Sequence, residues 1–177
     1  MIVRLSQKLA TKIGMKPSGI VPPDANRFAD WSGHLFSADR TQYVILTNTV
    51  SLYSALFYGR GVTDDGQLLN RGLGAIREVM EDDDLEFIYG RLVAPSTAKI
   101  AFSKSLNRSV SGSMNDLVNC VKVWLTEGEL SPHDASFRLN EMPMSAINYA
   151  YPRRRSRRSW SSTMRLANGC EQLSARS

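Results

Sequence analysis

Asn107, Arg108, Ser109, Ser111, Gly112, Ser113, Asn115 and Asp116 crowd amides, hydroxyls, a guanidinium and a flexible backbone into ten positions just ahead of an apolar helical run. Backbone N–H groups at a helix N-terminus, with hydroxyls and an arginine beside them, are what a phosphate or carboxylate needs to bind. Residues 107–116 therefore read as an anion-binding loop. The same residue types also do structural work: Ser113 and Asp116 have the Ser-x-x-Asp spacing that resembles a capping box. A Gly-x-x-x-x-Gly-Lys-Ser/Thr pattern is absent from the sequence, which excludes a P-loop in its usual form.

Other constellations are weaker. Glu78, Glu81, Asp82, Asp83, Asp84 and Glu86 place six carboxylates in nine residues, but they lack the alternating ligands and turn glycine of a calcium loop, so a solvated helix end is expected. A basic neighbour, the C-terminal tail among the candidates, would neutralise them. His34 and His133 are the only histidines, too few to suggest a metal site, and no Gly-x-Ser-x-Gly elbow accompanies them. Cys120 stands among Val118, Val121 and Trp124 and reads as a packing residue. Trp31, Tyr43, Tyr53 and Phe57 could stack on bases, but a sheet needs them first as core. No metal and no cofactor is implied.

The elements that must position these residues follow from periodicity. Residues 2–5 read as a short strand, then Ser6 as the cap of a helix carrying Leu9 and Ile13, with Gly14 as its stop. Pro17, Pro22, Pro23 and their neighbours make a loop. Three aromatic or β-branched runs, 31–36, 42–47 and 51–58, are joined by short connections and predict an antiparallel meander. Leu69, Leu73, Ile76 and Met80 recur at helical spacing in a segment that begins near Asp64. Residues 89–94 and 99–102 are weaker strand candidates. Met114, Leu117, Val118, Val121, Trp124 and Leu125 define a central buried helix capped by Ser113 and ended by Gly128, and Ser131-Pro132 opens another. The fold expected is α+β: an antiparallel sheet packed against two or three helices.

Charge divides the chain. Of a net +5, residues 152–177 carry +6 and the preceding residues carry −1. The 177 residues suit one domain, placed at 1–150, followed by a basic, disordered tail at 151–177. Arg153, Arg154, Arg155, Arg157 and Arg158 make that tail the expected nucleic-acid contact, independent of base sequence. No segment approaches the ~18 apolar residues of a membrane helix, and two isolated cysteines suit a reducing compartment. A cytoplasmic protein without a membrane partner is expected.

Several segments resemble a bacterial domain family of unknown function: Asp30-Trp31 with Leu35-Phe36, Leu46-Thr47-Asn48 with Ser51-Leu52-Tyr53-Ser54, Asn107-Arg108-Ser109-Val110-x-Gly112-Ser113-Met114-Asn115-Asp116, and Leu139-Asn140-Glu141-Met142-Pro143-Met144-Ser145. Relatives tend to carry His directly after Asp-Trp; here Ser32 follows, with a histidine two places on at His34, a departure that speaks against a family-wide catalytic histidine at this site. The resemblance implies an uncharacterised bacterial, cytoplasmic, stand-alone domain and brings no reaction with it. The tail is read as a gene-specific extension or a cassette junction of a mobile gene. The favoured reading is a binding or regulatory module centred on residues 107–116, with a phosphate-bearing ligand or a protein as partner. One alternative is an enzyme acting on a phosphate-bearing substrate, using Arg108 and either Asp116 or Asp30. The other is nonspecific nucleic-acid binding through the tail. The residues leave enzyme or non-enzyme open.

Overall fold

The computed structural model describes residues 1–106, 108–128 and 130–157. Its centre is a five-stranded sheet in the order β4-β3-β2-β1-β5, built from β1 (Ile2–Leu5), β2 (Asp30–Ala38), β3 (Thr41–Asn48), β4 (Ser54–Tyr58) and β5 (Ala101–Lys104). The expected meander is present, since β2, β3 and β4 pair antiparallel. β1 lies parallel to both β2 and β5, so the sheet is mixed.

Alternation along the strands sorts side chains onto two faces. Val3, Leu5, Trp31, Val44, Leu46, Ala55 and Phe57 meet α1 (Gln7–Lys12) and α2 (Asp65–Asp82) on one face. Phe36, Tyr43, Ile45 and Leu56 meet α4 (Arg108–Thr126) and α5 (Pro132–Asn140) on the other. A fully buried Leu or Val in these layers contributes ~1.5–3 kcal/mol. Gly33 lets α1 approach, because a Cβ there would stand 2.8 Å from a Leu9 methyl. The four aromatics weighed as base-stacking candidates, Trp31, Tyr43, Tyr53 and Phe57, are all buried.

Local signals explain the helix starts. Ser6 accepts from the Leu9 N–H, Asp64 from Gln67 and Ser131 from Asp134, with Pro132 in the first turn. The cap expected at Ser113 is corrected: α4 begins at Arg108, so Ser113 lies inside the helix. Val110, one turn before Met114, extends the apolar stripe backwards and packs on the second core, and this burial outweighs the weak helix propensity of serine and glycine. Residues 89–94, a strand candidate, instead belong to a π-turn (Tyr89–Val93) that continues into a 3₁₀ turn (Ala94–Ala98), following the short α3 (Glu86–Ile88). The other weak candidate is real, shifted to β5.

The expected start of a disordered tail is also corrected. Residues 152–157 are helical, with Pro152 and Ser156 inward. Arg153 and Arg157, one turn apart, reach the acidic end of α2. Arg158 and the remainder of the tail lie outside the described residues.

α5 closes one edge of the sheet. The Asn140 side chain accepts from the Ser54 N–H at 2.8 Å and donates to its carbonyl at 2.9 Å, imitating a strand neighbour. Ser136 Oγ accepts from the Leu56 N–H at 2.9 Å. Edge groups that could pair with another chain are thus occupied from within.

Candidate functional site

The parallel strands create the site. After β1 the chain turns into α1 on one face, and after β5 it turns into α4 on the other, so the two connections diverge above adjacent carboxyl ends. In open sheets such a divergence leaves a crevice that ligands occupy. Here it is a cleft of about 910 Å³ lined from β1 and α1 (Ser6, Gln7, Thr11), β2 (Ser32, His34), β5 with its following residue (Lys104, Ser105), α4 (Ser111, Met114, Asn115) and the proline-rich loop (Met15, Lys16, Ile20). Ser105 and Ser111 share a hydroxyl hydrogen bond of 2.8 Å, tying the end of β5 to α4.

A second cleft of about 970 Å³ adjoins it, sharing Gln7, Thr11, His34 and Asn115 and adding Lys8, Lys12 and Lys122. Among the described residues neither lining contains a carboxylate. Lys8, Lys16, Lys104 and Lys122 are exposed, and none is ion-paired among the described residues. Burial, followed by the charges of Lys8 and Lys122, holds the pKa of half-buried His34 below its ordinary 6.5. At neutral pH the imidazole is therefore uncharged among cations, able to donate from one nitrogen and accept at the other.

Among the described residues the one fully buried cation at the cleft is already engaged. Arg4 donates from Nε to Asp30 Oδ1 and from Nη2 to Asp30 Oδ2, each at 2.7 Å. Its remaining donors reach Val21 O, Ser103 Oγ and Pro22 O. All five N–H groups are thus used, in the fork geometry that suits guanidinium and carboxylate. Asp30 also accepts from Thr49 Oγ1 and the Asp24 N–H. This pair clamps the loop across β1, β2 and β5 and forms the floor beneath the crevice.

Of the residues expected to bind an anion, Ser111 and Asn115 line the crevice. Arg108 and Ser109 form the first turn of α4, and Gly112, Ser113 and Asp116 lie within the helix, with Gly112 and Asp116 exposed and Ser113 buried. Asn107 lies outside the described residues. Residues 111–116 are past the free N–H groups of the first turn, so they form no helix-terminus cradle. The lysines and His34 come from distant segments, and no local spacing announces them. Among the described residues no three His, Cys, Asp or Glu side chains gather to hold a metal ion, and no helix is long and apolar enough to cross a membrane.

Residues 2–155, from β1 into the terminal helix, match a family described as Domain of unknown function (DUF6933). The chain belongs to this family. No curated protein and no solved structure matches it. In this DUF6933 domain many residues that carried the sequence resemblance act as internal struts. Asp30 pairs with Arg4, and Trp31 donates to Phe28 O at 2.8 Å. Asn48 organises the β3–β4 turn by accepting from Val50 and Ser51 and donating to Arg27 O and Asp30 O. Ser32 and His34 share one face of β2 and both line the cleft, the histidine of this chain one pleat further along the strand than position 32.

Tyr53 leads to a second network on the DUF6933 domain. Its hydroxyl is 2.7 Å from Asp83 Oδ2 and 3.1 Å from Val79 O. Arg153 Nε approaches Asp83 Oδ1 at 3.1 Å, and Arg157 Nη2 donates to Asp83 O at 2.9 Å. Burial raises the pKa of the Asp83 carboxyl, while the Tyr53 hydrogen bond and the charges of Arg153 and Arg157 oppose that rise. The acidic run is thus a solvated helix end with one exception: Asp83 is buried, and the basic segment neutralises it.

Proposed function

We propose that this DUF6933 domain is a binding module for a phosphate-bearing or similarly anionic small molecule, seated in the crevice at the carboxyl ends of β1 and β5. One observation carries the reading: lysines and neutral donors converge on a concave site whose lining, among the described residues, has no carboxylate, in a body whose net charge before residue 152 is −1. The cleft volume falls in the range of ligand pockets, and apolar Met15, Ile20 and Met114 beside the polar groups suit a ligand with an apolar part. Lys16 and Lys104 supply charge, Ser111 and Asn115 supply hydrogen bonds, and His34 supplies a donor that does not compete for counterions. The isolated cysteines and the resemblance to a bacterial family favour a bacterial cytoplasmic setting, where binding would serve regulation.

Turnover finds less support. Both oxygens of Asp30 are occupied by structural partners and Asp116 is not in the lining, so the carboxylates that acid–base chemistry would draw on are not aimed at a ligand. Thermal shift and calorimetric titration with inorganic pyrophosphate, nucleoside monophosphates and nucleoside diphosphates test the proposal. Stabilisation by at least one of these probes is expected in the wild-type chain and not in a Lys16→Ala, Lys104→Ala variant. A shift that survives in that variant and disappears when the tail arginines become glutamine would overturn it.

A further inference from the structure

The basic lining does not stop at the crevice. A third cleft, of about 950 Å³, shares Lys12 and Gln42 with the second and adds Arg40, Arg60 and Arg71 beside Tyr58. The three are joined through shared residues into one band along the end of the sheet where β1, β2, β4 and β5 terminate and β3 begins. Among the described residues no carboxylate lines any of the three. Asp39 and Asp116 are next in sequence to lining residues, yet stay outside it. Four strand spacings of ~4.8 Å make the band ~19 Å wide before the stagger of the hairpin is added, longer than one small anion needs.

Two details at the hairpin end point to the kind of polyanion. Tyr58 is 53% exposed, and its ring leans on Tyr43 at 5.4 Å between centroids, with Phe36 stacked behind at 5.7 Å. An exposed aromatic face with rigid support, flanked by arginines, is a platform on which a base stacks. The second detail is Arg40, which with Asp39 forms the two-residue β2–β3 turn and has φ of 60°. This left-handed conformation favours glycine. The turn thus carries a cationic side chain where local geometry would select none.

From these observations we infer that the band binds single-stranded nucleic acid, its phosphodiester backbone following Arg60, Arg40, Lys12, Lys8 and Lys122 while one base stacks on Tyr58. The inference goes beyond the crevice reading, because it assigns the folded body rather than the tail as the nucleic-acid surface. A duplex does not fit, since its bases offer no free face to the tyrosine.

The experiment is fluorescence anisotropy with labelled rU12 and dT12 over a salt series, using the full chain. Tyr58→Ala is expected to weaken binding about tenfold, the size of one lost stacking contact. Lys8→Gln with Lys122→Gln should flatten the log–log salt dependence by ~1.4, two phosphate contacts at ~0.7 each. Arg40→Gly should weaken binding while raising the melting temperature by roughly 2–4 °C, as relief of local strain requires. Arg154→Gln with Arg155→Gln and Arg158→Gln should leave affinity within twofold. The rU12 and dT12 arms decide between RNA and DNA as the source of the strand. Loss confined to the tail variant, equal binding of a 12-base-pair duplex, or no binding of either strand at 50 mM salt overturns the inference. The two readings fail separately: if pyrophosphate stabilises the chain but rU12 and dT12 do not bind, the crevice stands and the band falls.

Discussion

The arginines paired with buried carboxylates and the lysines above them use positive charge in opposite ways. Arg4 and Arg153 end on carboxylates inside the fold, Asp30 and Asp83, with side-chain and backbone acceptors taking up further donors. Lys8, Lys16, Lys104 and Lys122 stand within reach of one cleft system and meet no carboxylate of the described residues there. Charge that is paired and desolvated holds segments together, and its removal strands a partner. Unpaired charge in a concave site does nothing for the fold, and this domain keeps it where the parallel strands end. The comparison separates structural cations from binding cations more sharply than residue type does, since Arg153 and Arg157 are structural and scattered lysines form the candidate site.

The largest effect should come from breaking the saturated side. Arg4→Met leaves Asp30 buried without its guanidinium and is expected to cost ~3–5 kcal/mol in urea unfolding; a loss under ~1 kcal/mol would mean that the clamp is not structural. Arg153→Ala should cost less, ~2 kcal/mol, because Arg153 is 29% exposed and Tyr53 still serves Asp83. The pH dependence follows from the raised Asp83 pKa. A carboxyl with a folded pKa above its ordinary 3.8 is costly once ionised, so its penalty is absent below 3.8 and grows as pH rises through the folded value. Arg153→Ala should push that value higher still, and carboxyl NMR titration would read it directly; an unchanged Asp83 titration breaks the assignment.

Asn140→Ala removes both partners of the Ser54 edge groups and should cost ~1–2 kcal/mol. It should also promote self-association, measurable by light scattering, through the exposed edge of β4. By contrast, alanine at Lys8, Lys16, Lys104 and Lys122 should leave stability within ~0.5 kcal/mol of wild type while removing anion binding. If those variants unfold more easily, the lysines belong with the structural cations and the comparison collapses. The smallest effect is at His34. Its depressed pKa means that its contribution to stability is complete above pH 6.5 and is lost as pH falls from 6.5 through the folded value. An anion bound beside it should raise that pKa, seen as a moved imidazole titration in NMR; a titration that ignores the ligand places the anion elsewhere.

Much of the fold was legible because it is written locally. The β2–β4 meander shows in alternation, α2 in its apolar spacing after Asp64, and α5 in the Ser131-Pro132 pair. What escaped was the start of α4, because serine and glycine look like a loop until Val110 is seen to continue the stripe. The solvated helix end expected of the acidic run is there, and so is the basic C-terminal neighbour in Arg153 and Arg157, but only packing reveals that Asp83 turns inward towards Tyr53.

The site was legible only in fragments. Ser111 and Asn115 were singled out for chemistry at a helix N-terminus, and they line the crevice from inside α4 instead. Sequence by itself determined most of the elements, the segregation of net charge into the C-terminal segment, and the absence of a P-loop, because each depends on neighbours in the chain. Tertiary structure alone decided that β1 lies between β2 and β5, and hence that Lys16, His34, Lys104 and Asn115 face one cleft. Parallel pairing joins segments dozens of residues apart through uniform backbone hydrogen bonds that carry no residue code, so nothing in the local pattern could announce that meeting.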